Sequence, residues 1–495
     1  MRSLNTTAGR VSRLCLLGLP LLAVAPLAQA QNFETYYGER PARDGSEDVK
    51  SVRYCPNKGS ILVGTRVNGS NGVIEVLATR VDDNGVAIWQ RAYNIAGSKN
   101  STANAVAELR SGAGFVLTGA VQPTSTVADT FLYVLHVNCD GKVLWTRLLA
   151  NQGTGSRAVG FDIVESTGPV IGPVAQTELI VVGDENMPAP AGAIHGRIAR
   201  ITSLGGLVFN FAYSQPANPQ GIRFRAVTEN RSSSSNLADI VVAGSAAWST
   251  NWVNDRRALL FRTRSNGAPL CNVAMGATDS SSDDYYGITA LAANNFAGES
   301  VLVGASRANT AAPLVYLTRF SAGGCAPLVQ SQWRDTTDGA TAFDVVESPL
   351  LTTGLAPSIV ATGTIAGATV QGDGFALTAQ DGNLGPLGAQ FRYSTQSTRR
   401  ETLLAIDNKG TRFVMSGSTF SDWDGVGDGQ DFYFVQTDPN KKTQCVREWD
   451  HTWSPAQLPR VEFTPPVKSM PSIKEAQTPE FDAFDQGYCC QFDPG

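Results

Sequence analysis

A chain of 495 residues is long enough for about two or three average domains, although all-β and repeat architectures often exceed that length in one unit. Hydrophobic residues make up 42%, charged residues only 17%, and there are 49 glycines, a balance that favours a β-rich, turn-rich fold. A net charge of -5 and a pI near 5.4 provide no basic field, which argues against nucleic acid as a partner.

The chain begins with Arg2, Arg10 and Arg13 ahead of an apolar run from Leu14 to Ala25, followed by Ala28-Gln29-Ala30. A charged start, a short apolar stretch and small residues at the outer positions of the cut are the marks of an export signal. Residues 1–30 are therefore expected to be a signal peptide and Gln31 the first mature residue, which makes the protein secreted, periplasmic or surface-bound. An uncleaved anchor is the alternative. No later stretch reaches the roughly 20 apolar residues that span a bilayer, so no transmembrane segment is expected in the mature chain.

From about residue 43 the sequence repeats itself. An apolar run ending in Gly recurs seven times, at Gly64, Gly119, Gly183, Gly244, Gly304, Gly363 and Gly417, with spacings of 55, 64, 61, 60, 59 and 54. Ahead of each glycine lies a short apolar segment, such as Val49 to Val52, Phe161 to Val164 or Phe224 to Val227. Behind each lies an alternating strand, a turn usually marked by Gly, and another strand, clearest at Val76 to Gly85 before Trp89 and at Leu132 to Gly141 before Trp145. Each unit thus reads as four short antiparallel strands, and period-two alternation with Asx-Gly turns is how hairpins are written. Four strands per unit of about sixty residues, repeated, predict an all-β fold, a seven-bladed β-propeller of four-stranded antiparallel blades.

The unit resembles the blade repeat of secreted bacterial β-propellers: a G-x-[ST] strand, an Asp opening the third strand, and D-x-D-G-x-x-x-W at the last hairpin. The opening Asp is found at Asp129, Asp373 and Asp431, and the hairpin at Asn138 to Trp145. The fourth and fifth units lack the Trp and place Cys271 and Cys325 near its position. The resemblance spans residues 43–453 and implies a fold, not a chemistry.

Two segments compete to complete the last blade. Phe33 to Gly38 reads like an outermost strand, as does Cys445 to Trp449, and only one of them can fill the slot. The propeller is bounded at residues 31–453, with a Pro-rich extended tail over 454–495. Seven cysteines remain after Cys15 in the leader, so structural disulfides are expected and one thiol is left over. Cys489 and Cys490 are candidates for pinning the tail to the ring.

Few residues promise chemistry. Trp89, Trp145 and Trp449 recur at packing positions. Of the three histidines, His136 and His195 on third strands are the weak catalytic candidates. Asp422, Asp424, Asp428 and Asp431 alternate on a glycine-rich loop in a way that could converge oxygens on a Ca²⁺ ion, the one cofactor the sequence suggests. An acidic surface turn reads the same residues equally well. Trp248, Trp252, Arg256, Arg257 and Trp423 lie in or beside loops joining second to third strands and form a candidate ligand-binding set for a sugar or a protein, with simple packing between loops as the alternative.

The leading functional expectation is a secreted or surface-associated binding protein that presents a loop face to a glycan or extracellular protein. A polysaccharide lyase acting on a uronate polymer, with His136 or His195 joined by a Tyr and an Arg, is the alternative. A quinone-dependent dehydrogenase is a third reading, disfavoured because its tryptophan-docking repeat is missing.

Overall fold

The computed structural model of the chain describes residues 32–488, except for parts of the connecting loops, among them 248–254 and 420–429, and the side chains of residues 444–488. Among the described residues, seven four-stranded antiparallel units follow one another. Their inner strands are Arg43–Val52, Asn100–Glu108, Arg157–Glu165, Ile222–Asn230, Ser281–Ala290, Gly339–Ser348 and Glu401–Asn408. Each inner strand contacts the next and the seventh contacts the first, so the ring is closed. The fold is an all-β, seven-bladed propeller.

Strand alternation explains how a ring of thin sheets acquires a core. Successive side chains point to opposite faces, so each second strand feeds two neighbours. Ile61 and Val63 pack towards the second blade, while Leu62 between them packs towards the seventh. The buried hydrophobics accordingly divide into seven layers, one between each pair of consecutive blades.

Towards the outside, the blades are tied by side chains that reach the turn of the next blade. Tyr93 Oη donates to the Gly141 carbonyl at 2.7 Å, and Tyr213 Oη to Gly267 at 2.7 Å. Trp89 Nε1 donates to Cys139 O at 3.0 Å and Trp145 Nε1 to Ser203 O at 3.2 Å. Between the fourth and fifth blades, where no Trp is available, the disulfide Cys271–Cys325 occupies the same seam. A second disulfide, Cys55–Cys139, joins the first and second blades.

The seventh blade is completed by the amino-terminal strand Phe33–Tyr37, paired antiparallel to Asp431–Thr437. The rival segment contributes Val446–Glu448 elsewhere, as a fifth strand on the outer edge of the sixth blade. The chain then adds a short antiparallel strand to every other blade in turn: His451–Pro455 to the fifth, Arg460–Val461 to the fourth, Val467–Ser469 to the third and Ile473–Glu475 to the second. Glu480–Asp482 follows on the first and Gln486–Tyr488 on the seventh. The carboxy-terminal segment is therefore a belt that circles the ring once, against the order of the blades, and covers each open edge. Cys489, Cys490 and residues 1–31 lie outside the described residues.

Candidate functional site

The repeated glycine has a structural cause that leads to the centre of the ring. Opposite it, every inner strand carries a β-bulge, with register shifts at Ser46/Asp48, Ala103/Ala105, Gly160/Asp162, Phe224/Ala226, Tyr285/Gly287, Ala342/Asp344 and Leu403/Ala405. A Cβ on the glycine would run into the inner-strand backbone just before the bulge: Gly45 O for Gly64, Thr102 O for Gly119, Val159 O for Gly183 and Arg223 O for Gly244. Gly304, Gly363 and Gly417 meet Asp284 O, Thr341 O and Thr402 O in the same way. A bulge leaves one residue out of the ladder and re-aims its side chain. Those residues are Glu47, Asn104, Phe161, Arg225, Tyr286, Phe343 and Leu404, one per blade, and all seven line a central cavity of about 230 Å³.

Four consecutive blades place Phe, Arg, Tyr and Phe along one arc of this ring. The Arg225 guanidinium carbon lies 3.9 Å from the centroid of the Phe161 ring, and Tyr286 and Phe343 meet at 5.3 Å with their planes tilted by 51°. Two further arginines flank Arg225. Arg223 pairs with Asp184 at 3.5 Å, and Arg256 binds Asp284 Oδ2 through Nη2 at 2.7 Å and Nε at 3.1 Å. Tyr286 Oη donates to the same Asp284 oxygen at 3.4 Å, and burial together with that carboxylate pushes its pKa above the usual value.

One step deeper, three aspartates stitch neighbouring blades together. Asp48 accepts from its own Val49 N–H and from Val106 N–H of the next blade, both at 2.8 Å. Asp162 does the same with Ile163 and Val227 at 2.7 Å, and Asp344 with Val345 at 2.8 Å and Ile406 at 3.0 Å. Lys50, whose side chain remains 29% accessible, stands 3.3 Å from Asp48. Burial would lower its pKa, but Asp48, Asp344, Asp407 and Asp162 together outweigh this and raise it. Burial raises the carboxyls of Asp344, to about 7, and Asp162, to about 6, despite Lys50 and their N–H donors; Glu47, exposed to the channel, is displaced upwards by the protein mass around it.

The sequence candidates are scattered relative to this cavity. Arg256 opens its strand in the arginine cluster, whereas Arg257, the next residue, is buried on the opposite face. His136 is buried edge-on against Trp145 at 5.3 Å, near the end of Phe131–Val137, and burial lowers its pKa, with the Ala113 backbone opposing. His195 is half-buried at the start of Ile194–Thr202, opposite Glu185. The two histidines thus lie at opposite ends of third strands in different blades, and neither lines the cavity. Asp431 is half-buried at the head of its strand, and Asp422, Trp423, Asp424, Asp428, Trp248 and Trp252 lie outside the described residues. Of the repeated aspartates, Asp129 accepts from the Gly155 N–H, and Asp373 pairs with Arg392 at 2.8 Å.

What the sequence reading missed is the bulge. Glu47, Asn104, Arg225 and Tyr286 sit in or beside the apolar opening segments, where a lone polar or charged residue is the available signal; Phe161 carries no such mark. The register of the glycine identifies them, since each directly follows the residue paired with that glycine.

Searches against protein-family models and curated proteins find no match. Among solved structures, the chain is similar to the Dos1 propeller at 9% identity, covering 82% of this chain and 93% of that one with a TM-score of 0.38. It is also similar to a humanized mutant of the Chaetomium thermophilum Polycomb Repressive Complex 2 bound to the inhibitor GSK343, at 10% identity, 84% and 96% coverage and a TM-score of 0.39. The V. cholerae biofilm matrix protein Bap1 matches at 10% identity, 83% and 88% coverage and a TM-score of 0.20. Likeness at this level carries no argument. The fold assignment rests on the strand pairing itself.

Proposed function

We propose that this is an exported binding propeller that receives a glycan at the mouth of its central channel. The observation that carries the reading is the arc of Phe161, Arg225, Tyr286 and Phe343, which four successive blades turn into one small cavity. Concave sites that combine apolar faces with a few converging polar groups are the usual form of a small-ligand site. Aromatic faces suit the C–H face of a sugar ring, and Asn104, Glu47 and Lys50 supply donors and acceptors around it. Export is supported by the leader-like first thirty residues and by two inter-blade disulfides. No described helix is long and apolar enough to cross a membrane.

The lyase reading finds less support. It needs a base at the substrate, yet His136 and His195 do not line the cavity, and the pKa of Tyr286 is displaced upwards, away from that task.

The test is capture by the full exported chain on a glycan array, with Phe161→Ala/Tyr286→Ala alongside. The double variant should lose capture while keeping its β-sheet circular dichroism. Undiminished capture would place the ligand elsewhere on the ring.

A further inference from the structure

We propose that the glycan end entering the channel is a uronate, held through its carboxylate by Arg225; this rests on the channel-mouth reading above. Three guanidiniums, those of Arg223, Arg225 and Arg256, lie close enough to repel one another; Asp184 and Asp284 form close ion pairs with Arg223 and Arg256, and Arg225, the one that lines the cavity, interacts with Asp184 only at longer range. Arg225 makes no ion pair among the described residues, and its buried Nε has no hydrogen-bond partner. Its guanidinium carbon stands 3.9 Å from the Phe161 ring centroid, a contact that restrains the side chain where it lines the cavity. A guanidinium with no close ion pair and an unpartnered Nε is matched best by a planar carboxylate, which takes two parallel N–H bonds.

The same cavity selects against other anions. Glu47, Asp48, Asp162 and Asp344 also line it, so a phosphate dianion would face four carboxyls for one unpaired cation. A monoanion whose remaining groups are hydroxyls turns those carboxyls into acceptors. Size points the same way: about 230 Å³ falls below the roughly 300 Å³ at which drug-sized pockets begin, so one ring enters end-on and the rest of the chain stays outside. An acidic peptide would satisfy Arg225 but would bring its further carboxylates against Glu47 and Asp48.

Calorimetry on the full chain tests this with three probes: oligogalacturonate, the same oligomer fully methyl-esterified, and oligoglutamate. The acid form should bind, and esterification should weaken it by about tenfold or more, the loss expected for one charge-assisted contact. Arg225→Ala should weaken the acid form by a similar factor and the ester by much less, so that the two bind alike, with Arg225→Lys in between. Equal binding of acid and ester, while Phe161→Ala still abolishes both, overturns the carboxylate and spares the channel site. Binding that Phe161→Ala leaves intact overturns the channel reading itself. Tighter binding of oligoglutamate, or no heat from oligogalacturonate at millimolar concentration, overturns the uronate.

Discussion

The inner and outer rims of the ring are built from the same repeat and have diverged in opposite ways. At the outer rim the equivalent side chains face a neighbouring blade, and through the first four blades they stay bulky or cross-linked: Trp89, Trp145, Phe209, then Cys271. At the inner rim the equivalent side chains face the channel, and they run Glu, Asn, Phe, Arg, Tyr, Phe, Leu with no shared chemistry. The backbone there is nonetheless held constant, because each bulge demands its glycine. A repeat thus conserves what touches another blade and frees what touches only solvent or ligand, which is why the unlike positions are where binding is sought.

Removing the belt tests the outer rim most severely. A chain ending after Thr443 leaves all seven outer strands as open edges, and edges of this kind pair with other chains. It should run as larger particles than the full chain in light scattering. An unchanged mass and melting temperature would show that the belt protects nothing.

The disulfide seams come next. Cys271→Ala with Cys325→Ala should cost about 2–4 kcal/mol by chemical denaturation. Hydrogen exchange should show local loss of protection at the seam between the fourth and fifth blades. The matching removal of Cys55–Cys139 should open its seam less, because Trp89 and Tyr93 still bridge it. Equal local opening would mean that the aromatic ties add nothing.

At the inner rim, Gly183→Ala forces a methyl group against Val159 O and should cost about 1–3 kcal/mol, seen as a lower denaturant midpoint. Gly323→Ala, where a Cβ meets nothing within 4 Å, is the control and should change little.

How much of this was legible follows from the same contrast. The seven glycines, the four strands per unit and the Phe33–Tyr37 closing candidate were visible because they recur or alternate. The belt was not, since strands of two to five residues separated by prolines carry no periodic signal. Nor was the binding arc, because a bulge changes register without changing composition: Arg225 and Lys50 look like interruptions in apolar strands until the ladder shows where they point. Trp248, Trp252 and Trp423 stand out because they lie in polar loops, whereas Phe161 and Phe343 merge with the apolar segments around them.

The smallest expected effect comes from the carboxyls beneath the mouth. Asp344 titrates near 7 and Asp162 near 6, mainly because burial disfavours their charged forms. In the folded state they hold protons that the unfolded chain has already released above its ordinary carboxyl pKa of about 4. Stability from these groups is therefore complete below that value and is lost as the pH rises through 6 and 7. The melting temperature should fall between pH 5 and pH 8, and Asp344→Asn, which keeps one acceptor for the Val345 or Ile406 N–H, should flatten part of the fall. Lys50 and the N–H donors limit the size, so the change should stay at a few degrees, where about 1 kcal/mol moves a large domain by roughly 2 °C. A melting temperature that instead rises over the same range would mean that Lys50 holds these carboxylates ionised. The inner rim would then be a salt-bridged structural plug, and the case for a ligand channel would weaken with it.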